Sequence, residues 1–370
     1  MAEIKVLRMP KWGLAMEEGV VVEWLKAVGE DVVEGEEIVE IETTKITNVL
    51  EATQSGRLAR IVAAEGETLP VGAVIAVLTD GEVPEVEIDA FLADRPAVAE
   101  MADEEDEDAA PARSDVQVGP RRIGAATAGT GAPIVLLHGF SGDLDNWMFL
   151  MGDLRSAGQV IAIDLPGHGG SSKDVGDGSL ATLAAAVAGA LDALGVVEPA
   201  VVAGHSLGGA VAMRLALDHP EKVSALRLVS PAGLPGDAVS RDFLDAIVEA
   251  QRPRDVKAAL ERLFADPSAV RRDMVDGVMR ALRLDGAREA LALLRDRMIA
   301  GEDFAAIAAR LDELPPTSVV VGGRDAIVGR PDRSRLPPSW RFHEIEAAGH
   351  MPHLEAAPDV AAVIRAARAG

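Results

Sequence analysis

Three observations predict a multidomain chain. A 37-residue internal repeat lies within residues 1–80, an acidic stretch without periodicity covers 81–118, and buried apolar runs alternate with helical stretches from 119 to 370. The first predicts a small all-β sandwich, and the last an α/β domain whose mainly parallel, doubly wound sheet carries a helical cap. Length agrees, because 370 residues exceed one ordinary hydrophobic core. So does composition, since 48% hydrophobic and 26% charged residues describe a globular chain rather than a disordered one.

The repeat is short and regular. Trp24, Gly29, Glu30, Val32, Gly35 and Ile38 align with Ile61, Gly66, Glu67, Leu69, Gly72 and Ile75, so Gly-Glu-x-apolar-x-x-Gly recurs between β-branched strands. Glycine punctuation of short alternating strands predicts two related sheets. Between the halves falls Glu42-Thr43-Thr44-Lys45-Ile46, which places Lys45 on a hairpin tip.

Residues 1–80 hold 15 acids and 7 bases and residues 81–118 hold 13 and 2, so only −5 of the net charge of −24 belongs to the remaining 252 residues. The run Asp103-Glu104-Glu105-Asp106-Glu107-Asp108 cannot lie on one face of a helix or strand. It predicts that residues 81–118 are an extended, flexible linker. An acidic surface argues against a nucleic-acid partner.

After 118, Ile134–Leu137, Val160–Ile163, Val201–Ala203, Leu226–Val229 and Val319–Val321 read as buried strands. Ser179–Leu194 and Leu207–Asp218 read as helices. The Leu/Ala/Arg-rich segments within about 231–312 offer no strand and predict the cap.

Three motifs carry chemistry. Gly204-His205-Ser206-Leu207-Gly208-Gly209 is a Gly-x-Ser-x-Gly turn between a predicted strand and a predicted helix, which raises the Ser206 hydroxyl above the sheet. Val320-Val321-Gly322-Gly323-Arg324-Asp325 is a late strand running into an acid, and Ala348-Gly349-His350-Met351-Pro352-His353 places a histidine near the C-terminus. With His138-Gly139-Phe140 after the first predicted strand and Asp164-Leu165-Pro166-Gly167-His168-Gly169-Gly170-Ser171, residues 119–370 resemble the α/β-hydrolase superfamily throughout. The resemblance implies Ser206 as nucleophile, His350 as general base and Asp325 as its orienting acid, with the backbone amides of Phe140 and Leu207 forming the oxyanion hole. His353 is the rival base. His168 and His205 are expected to hold tight turns by fixed hydrogen bonds, and His219 and His343 to lie at the surface. No His-x-x-x-His or His-Glu-x-x-His spacing occurs, so no metal is expected.

In isolation Lys45 would read as a surface turn lysine. With the repeat, Met9-Pro10, Gly19, Glu23-Trp24 and Glu-Thr-Thr-Lys-Ile, residues 1–80 resemble the lipoyl domains of 2-oxo-acid and acetoin dehydrogenase complexes. The implied fold is the lipoyl/biotinyl-type sandwich, with lipoate covalently attached to Lys45. Biotin carriers share the fold but usually flank the lysine with Met, where this chain has Thr44 and Ile46; lipoyl hairpins more often carry Asp at the position of Thr44. The chain has no cysteine, so thiol chemistry must come from a cofactor such as lipoate.

A lipoyl domain joined to a hydrolase domain resembles the acetyltransferase components of acetoin dehydrogenase complexes. That resemblance implies transfer of an acetyl group from S-acetyldihydrolipoyl-Lys45 to coenzyme A as cosubstrate. The implied partners are a thiamine-diphosphate-dependent acetoin-cleaving dehydrogenase, dihydrolipoamide dehydrogenase and a lipoylating enzyme. Such complexes are usually built on multimeric, homo-oligomeric cores, and no assembly motif or peripheral-subunit-binding domain is recognisable here. The alternative is a carboxylic-ester or thioester hydrolase with a fused lipoyl carrier, in which water resolves the same acyl-enzyme. The His-x-x-x-Asp-Gly motif of most lipoyl-dependent acyltransferases is missing. With no apolar run of about 18 residues and no signal-peptide core, the expected location is cytoplasmic.

Overall fold

The repeat within residues 1–80 becomes two sheets of matching topology. Strands β1 (Ile4–Arg8), β2 (Glu18–Trp24), β3 (Asp31–Val32), β4 (Glu37–Glu42), β5 (Thr47–Glu51), β6 (Gly56–Ile61), β7 (Thr68–Pro70) and β8 (Val74–Thr79) pair antiparallel in the orders β1-β8-β6-β3 and β5-β4-β2-β7. Exchanging β1 with β5, β2 with β6, β3 with β7 and β4 with β8 turns one order into the other. The computed structural model describes residues 4–10, 18–33, 35–42, 47–52, 54–81, 83–93, 111–236 and 239–366. Lys45 and the acidic run 103–108 lie outside the described residues. The chain divides into two units, Met1–Asp106 and Glu107–Gly370.

The repeated Gly-Glu pair has a physical basis. Gly29 and Gly66 take φ of +96° and +83°, a region that costs an L side chain. The next residues close the same turn twice, Glu30 Oε2 accepting the Ala27 amide at 2.7 Å and Glu67 Oε2 the Ala64 amide at 2.9 Å. Both sheets bury their inner faces in one cluster, with Val21, Ile38 and Ile41 from one and Leu58, Ile75 and Leu78 from the other. Each such side chain contributes roughly 1.5–3 kcal/mol on burial. The β4–β5 hairpin pairs Glu42 with Thr47, which leaves residues 43–46 between its last paired positions.

The stretch 81–118 is not wholly a linker. Residues Glu85–Ala93 form helix α1, which buries Ile88 and is held to β6 by ion pairs from Arg60 to Asp89 and, at 3.9 Å, to Glu85. Residues Ala112–Val118 form strand β9 of the second unit. Neither stands out in the apolar pattern, because Ile88 is the one buried residue of α1 among those described and β9 is an exposed edge with only Val116 and Val118 half-buried.

In the second unit β9 is followed by β10 (Arg121–Ala128), β11 (Pro133–Leu137), β12 (Gln159–Ile163), β13 (Ala200–His205), β14 (Val223–Val229), β15 (Thr317–Gly322) and β16 (Arg341–Ile345). The sheet order is β16-β15-β14-β13-β11-β12-β10-β9, parallel from β16 to β12 and antiparallel at β10 and β9. All five strands read from the sequence are here, as its centre. Alternate residues of β11 serve opposite faces. Ile134 and Leu136 pack with α2 (Met148–Leu154) and, beyond the cap, α11 (Ala357–Arg365), whereas Val135 and Leu137 pack with α3 (Leu180–Ala193) and α4 (Leu207–Asp218). Ser179 caps α3 by accepting the Thr182 amide, which fixes its start where the sequence placed it.

Between β14 and β15 the cap consists of α5 (Arg241–Glu249), α6 (Pro253–Leu260), α7 (Arg272–Ala281), α8 (Ala287–Ala300) and α9 (Glu302–Ala308). A short helix, α10 (Pro352–Glu355), precedes α11. Among the described residues no helix is long and apolar enough to cross a membrane.

Candidate active site

Strand β13 ends in the sharp turn that the Gly-x-Ser-x-Gly motif predicts. Ser206 sits at φ +52° and ψ −116°, between the strand and the first residue of α4, a conformation that costs of order 1–3 kcal/mol for a residue other than glycine. Its backbone is fixed on both sides. The amide donates to Val229 O at 3.1 Å, and the carbonyl accepts from the Gly209, Ala210 and Ala232 amides at 3.0–3.2 Å. The flanking glycines are steric necessities, because a Cβ on Gly204 would lie 2.3 Å from Gly208 O and one on Gly208 would lie 2.3 Å from Leu137 O.

Asp325 follows β15 and His350 follows β16. The two meet at 2.8 Å, His350 Nδ1 donating to Asp325 Oδ2, with both side chains almost fully enclosed at 2% and 1% exposure. The second carboxylate oxygen accepts the Ile327 amide at 2.8 Å and the Val328 amide at 3.2 Å. Burial alone would raise the carboxyl pKa, but the charge and hydrogen bond of His350 and the two amides outweigh it, so Asp325 titrates below the usual carboxylate range. This bond also assigns the tautomer: the Nδ1 proton is committed, and Nε2 is left as the basic nitrogen.

Two buried loops complete the site. The His138 ring is wholly buried; its Nδ1–H donates to Gly139 O at 2.8 Å and its Nε2 accepts the Leu165 amide at 3.0 Å. That ring sets the loop carrying Phe140. The loop is pressed against the elbow, since a Cβ on Gly139 would lie 2.7 Å from His205 Nδ1 and 3.1 Å from Ser206 Cβ. Among the described residues the backbone amides of Phe140 and Leu207 have no acceptor, although both residues are buried. The stretch Asp164–Ser171 is a scaffold, with Asp164 accepting the Leu144 and Gly170 amides at 2.8 and 2.7 Å.

The remaining histidines separate by partner. His205 Nε2–H donates to the His350 carbonyl at 2.8 Å, and the two rings lie 4.7 Å apart. The sequence gives His205 a turn-holding role but does not reveal that the turn it holds is that of His350. His168 Nδ1–H donates to Pro166 O at 3.1 Å, as a turn residue should. His353, the rival base, is fully buried between Trp147 and His205, at ring separations of 4.6 and 4.4 Å, and among the described residues neither of its nitrogens has a partner. Asp325 pairs with His350, not with His353.

Burial and the neighbouring His350 push His353 down to about 3 from 6.5. The unfolded chain therefore takes up this proton near pH 6.5 and the folded chain only near pH 3, so stability falls as pH drops through that window. For His353→Phe the stability lost between neutral pH and about pH 4.5 is expected to be smaller by about 2–3 kcal/mol. Denaturant melts at the two pH values measure it, and an unchanged difference would mean that the ring is not held neutral.

Comparison with known proteins agrees with both units. A family model described as the alpha/beta hydrolase family matches residues 134–363, and one described as biotin-requiring enzyme matches residues 5–78. The meta-cleavage product hydrolase of Pseudomonas fluorescens shares the fold of the second unit (22% identical, TM-score 0.61, covering 68% of this chain and 96% of that one). So does 2-hydroxy-6-oxo-6-phenylhexa-2,4-dienoate hydrolase of Rhodococcus (22%, 0.61, 69% and 99%). The sheet, the strained elbow and the two family matches define the class, an α/β-hydrolase-fold protein bearing a biotin/lipoyl-type module. Similarity then extends along the whole chain. It is 41% identical to the dihydrolipoyllysine-residue acetyltransferase component of acetoin cleaving system of Cupriavidus necator, covering 96% of this chain and 95% of that one. For the Pseudomonas putida protein of the same description the identity is 40%, covering 97% of each. The chain belongs to this acetyltransferase family.

Proposed function

We propose that the chain transfers an acetyl group from a dihydrolipoyl-lysine thioester to coenzyme A within an acetoin-cleaving complex. One observation carries the reading: buried amides without acceptors beside a strained serine, and a carboxylate-bound imidazole, occur on one chain with a lipoyl-type module. Whole-chain similarity to the acetyltransferase components supports it.

In this reading the carrier module is residues 1–80. Lys45, which lies in sequence between the paired Glu42 and Thr47, holds lipoate. When bound, that group supplies the thiol on which an acyl group travels, which this chain without cysteine lacks.

Ser206 attacks the thioester carbonyl while His350 Nε2 takes its proton. The carbonyl oxygen becomes an anion held by the Phe140 and Leu207 amides, which desolvated and aligned donors favour by about 2.7–4 kcal/mol each. His350 returns the proton to the departing thiol, leaving an ester on Ser206. Coenzyme A then gives its thiol proton to His350 and attacks the ester, and Ser206 recovers the proton. Asp325 keeps the imidazole in the required tautomer and stabilises its charged form. The cap helices α5–α9 exclude water, the competing acceptor.

Three partners follow. A thiamine-diphosphate-dependent dehydrogenase loads the carrier, dihydrolipoamide dehydrogenase reoxidises it, and a lipoylating enzyme modifies Lys45.

The test is the fate of the acetyl group. Lipoylated protein given an acetyl donor is expected to form acetyl-coenzyme A, with acetate release suppressed as coenzyme A is added. Acetate released at an unchanged rate would instead make the chain a thioester hydrolase.

A further inference from the structure

The general base is wired to the cap, and one carboxylate makes much of the connection. Glu355, the last residue of α10, is half-buried. Its Oε1 accepts the Gly349 amide at 2.8 Å, immediately before His350. Its Oε2 accepts the Ala265 amide at 2.8 Å, in the cap segment that follows α6. The same two segments also meet directly, the His350 amide donating to Leu263 O at 2.7 Å. They meet closely, since a Cβ on Gly349 would lie 2.6 Å from the Ala265 nitrogen and 2.7 Å from Leu263 O. Among the described residues no cationic side chain pairs with Glu355, so its charge is spent on these two amides, a stronger pairing than between neutral groups.

The His350 loop therefore has two sets of supports. From the sheet side Asp325 holds the ring and His205 holds the carbonyl. From the cap Leu263 holds the amide of His350, and Glu355, on α10, bridges the amide before it to the cap amide of Ala265. Any movement that lifts residues 263–265 breaks the Leu263–His350 and Ala265–Glu355 bonds together and leaves Glu355 holding the Gly349 amide alone. The base then loses its register at the moment when water could enter.

We propose that Glu355 is a positioning residue that locks the cap to the His350 loop, so that the base is in place only under a docked cap. By this lock the acyl-enzyme is resolved by the thiol acceptor rather than by water. The proposal rests on the reading of Ser206 and His350 given above.

Glu355→Gln offers one acceptor oxygen where two are needed, and its amide group would face an N–H donor. Ala265→Pro removes the other end of the bond and leaves Glu355 intact. Phe264, at φ −105° and ψ 146°, already has the extended backbone required before proline. Both variants are made in the full-length lipoylated chain. Two quantities are read: the acylation rate with p-nitrophenyl acetate, and the ratio of acetate to acetyl-coenzyme A formed from an acetyl thioester. The expected result is an acylation rate lowered by up to about 100-fold in kcat with KM little changed, together with a raised acetate ratio. A purely structural carboxylate would lower both products together in proportion to the folded fraction, and an unchanged ratio with that pattern overturns the lock. If Glu355→Gln does not fold, Ala265→Pro decides. If the unaltered protein forms no acetyl-coenzyme A, the transferase reading fails separately, and the p-nitrophenyl acetate rate still decides for or against the lock.

Discussion

Ser206→Ala is expected to lower acetyl transfer about 10⁶-fold, the scale of loss when a covalent nucleophile acting with its base is removed. The burst of acyl-enzyme should vanish with it. What survives is the modest catalysis that the Phe140 and Leu207 amides and binding provide without covalent chemistry. Stability should separate this variant from its glycine counterpart. Alanine inherits the strained φ of +52°, so its Tm should stay near that of the unaltered protein. Glycine relieves about 1–3 kcal/mol of strain against about 0.5–1 kcal/mol of added chain entropy, so Ser206→Gly should be inactive and more stable. Single-turnover kinetics and thermal melts check the pair. An acyl-enzyme still trapped on Ser206→Ala would move the nucleophile elsewhere.

The site depends on how three imidazoles are partnered. His138 gives its Nδ1 proton to Gly139 O and takes an amide on Nε2, and this orients the loop of Phe140. His205 gives its proton to the carbonyl of His350. His350 gives its own to Asp325. Of the three, only His350 donates to a carboxylate, at 2.8 Å; His138 Nε2 lies 4.0 Å from Asp164 Oδ1 but takes the Leu165 amide instead. Burial drives His205 far below its ordinary pKa, aided by His353 and His350 nearby, so it remains a neutral donor to the His350 carbonyl.

The motifs and the central strands were legible in the sequence because their physical demands are local. Gly204 and Gly208 are dictated by contacts within a few residues or with the neighbouring strand, and β11 to β15 are buried on both faces, so their apolar runs are nearly continuous, with Ser224 and Arg227 of β14 as interruptions. Much of what escaped depends on distant partners or on a wet face. β16, Arg341–Ile345, is an exposed edge whose residues show no apolar run, and β9 is another. Helix α1 is tied by Arg60, which lies 29 residues from Asp89. Glu355 reaches back 90 residues to Ala265, and a lone glutamate after Gly-His-Met-Pro-His-Leu carries no local sign of that task. Gly349 does carry one. A glycine beside the base, without a positive φ, marks a close approach, and the approaching group is the cap.

Lys45→Arg is expected to abolish acetyl transfer in the assembled acetoin-cleaving system while leaving the chemistry proposed at Ser206 intact. Arginine keeps the positive charge and length of the side chain but offers no amine that a lipoylating enzyme can acylate, so the carrier module stays folded and empty. Small-molecule S-acetyldihydrolipoamide should then bypass the defect. Because carrier and hydrolase units share one chain, the missing group acts at an effective concentration of about the mM range, so free donor in that range should restore transfer to the unaltered rate. Far below it, the variant should be silent. The intact mass of the native protein supplies the control, since lipoylation at Lys45 must be present in the parent and absent in the variant. Transfer by Lys45→Arg at the parental rate, in the assembled system and without added donor, would mean that the acetyl group reaches Ser206 by another route.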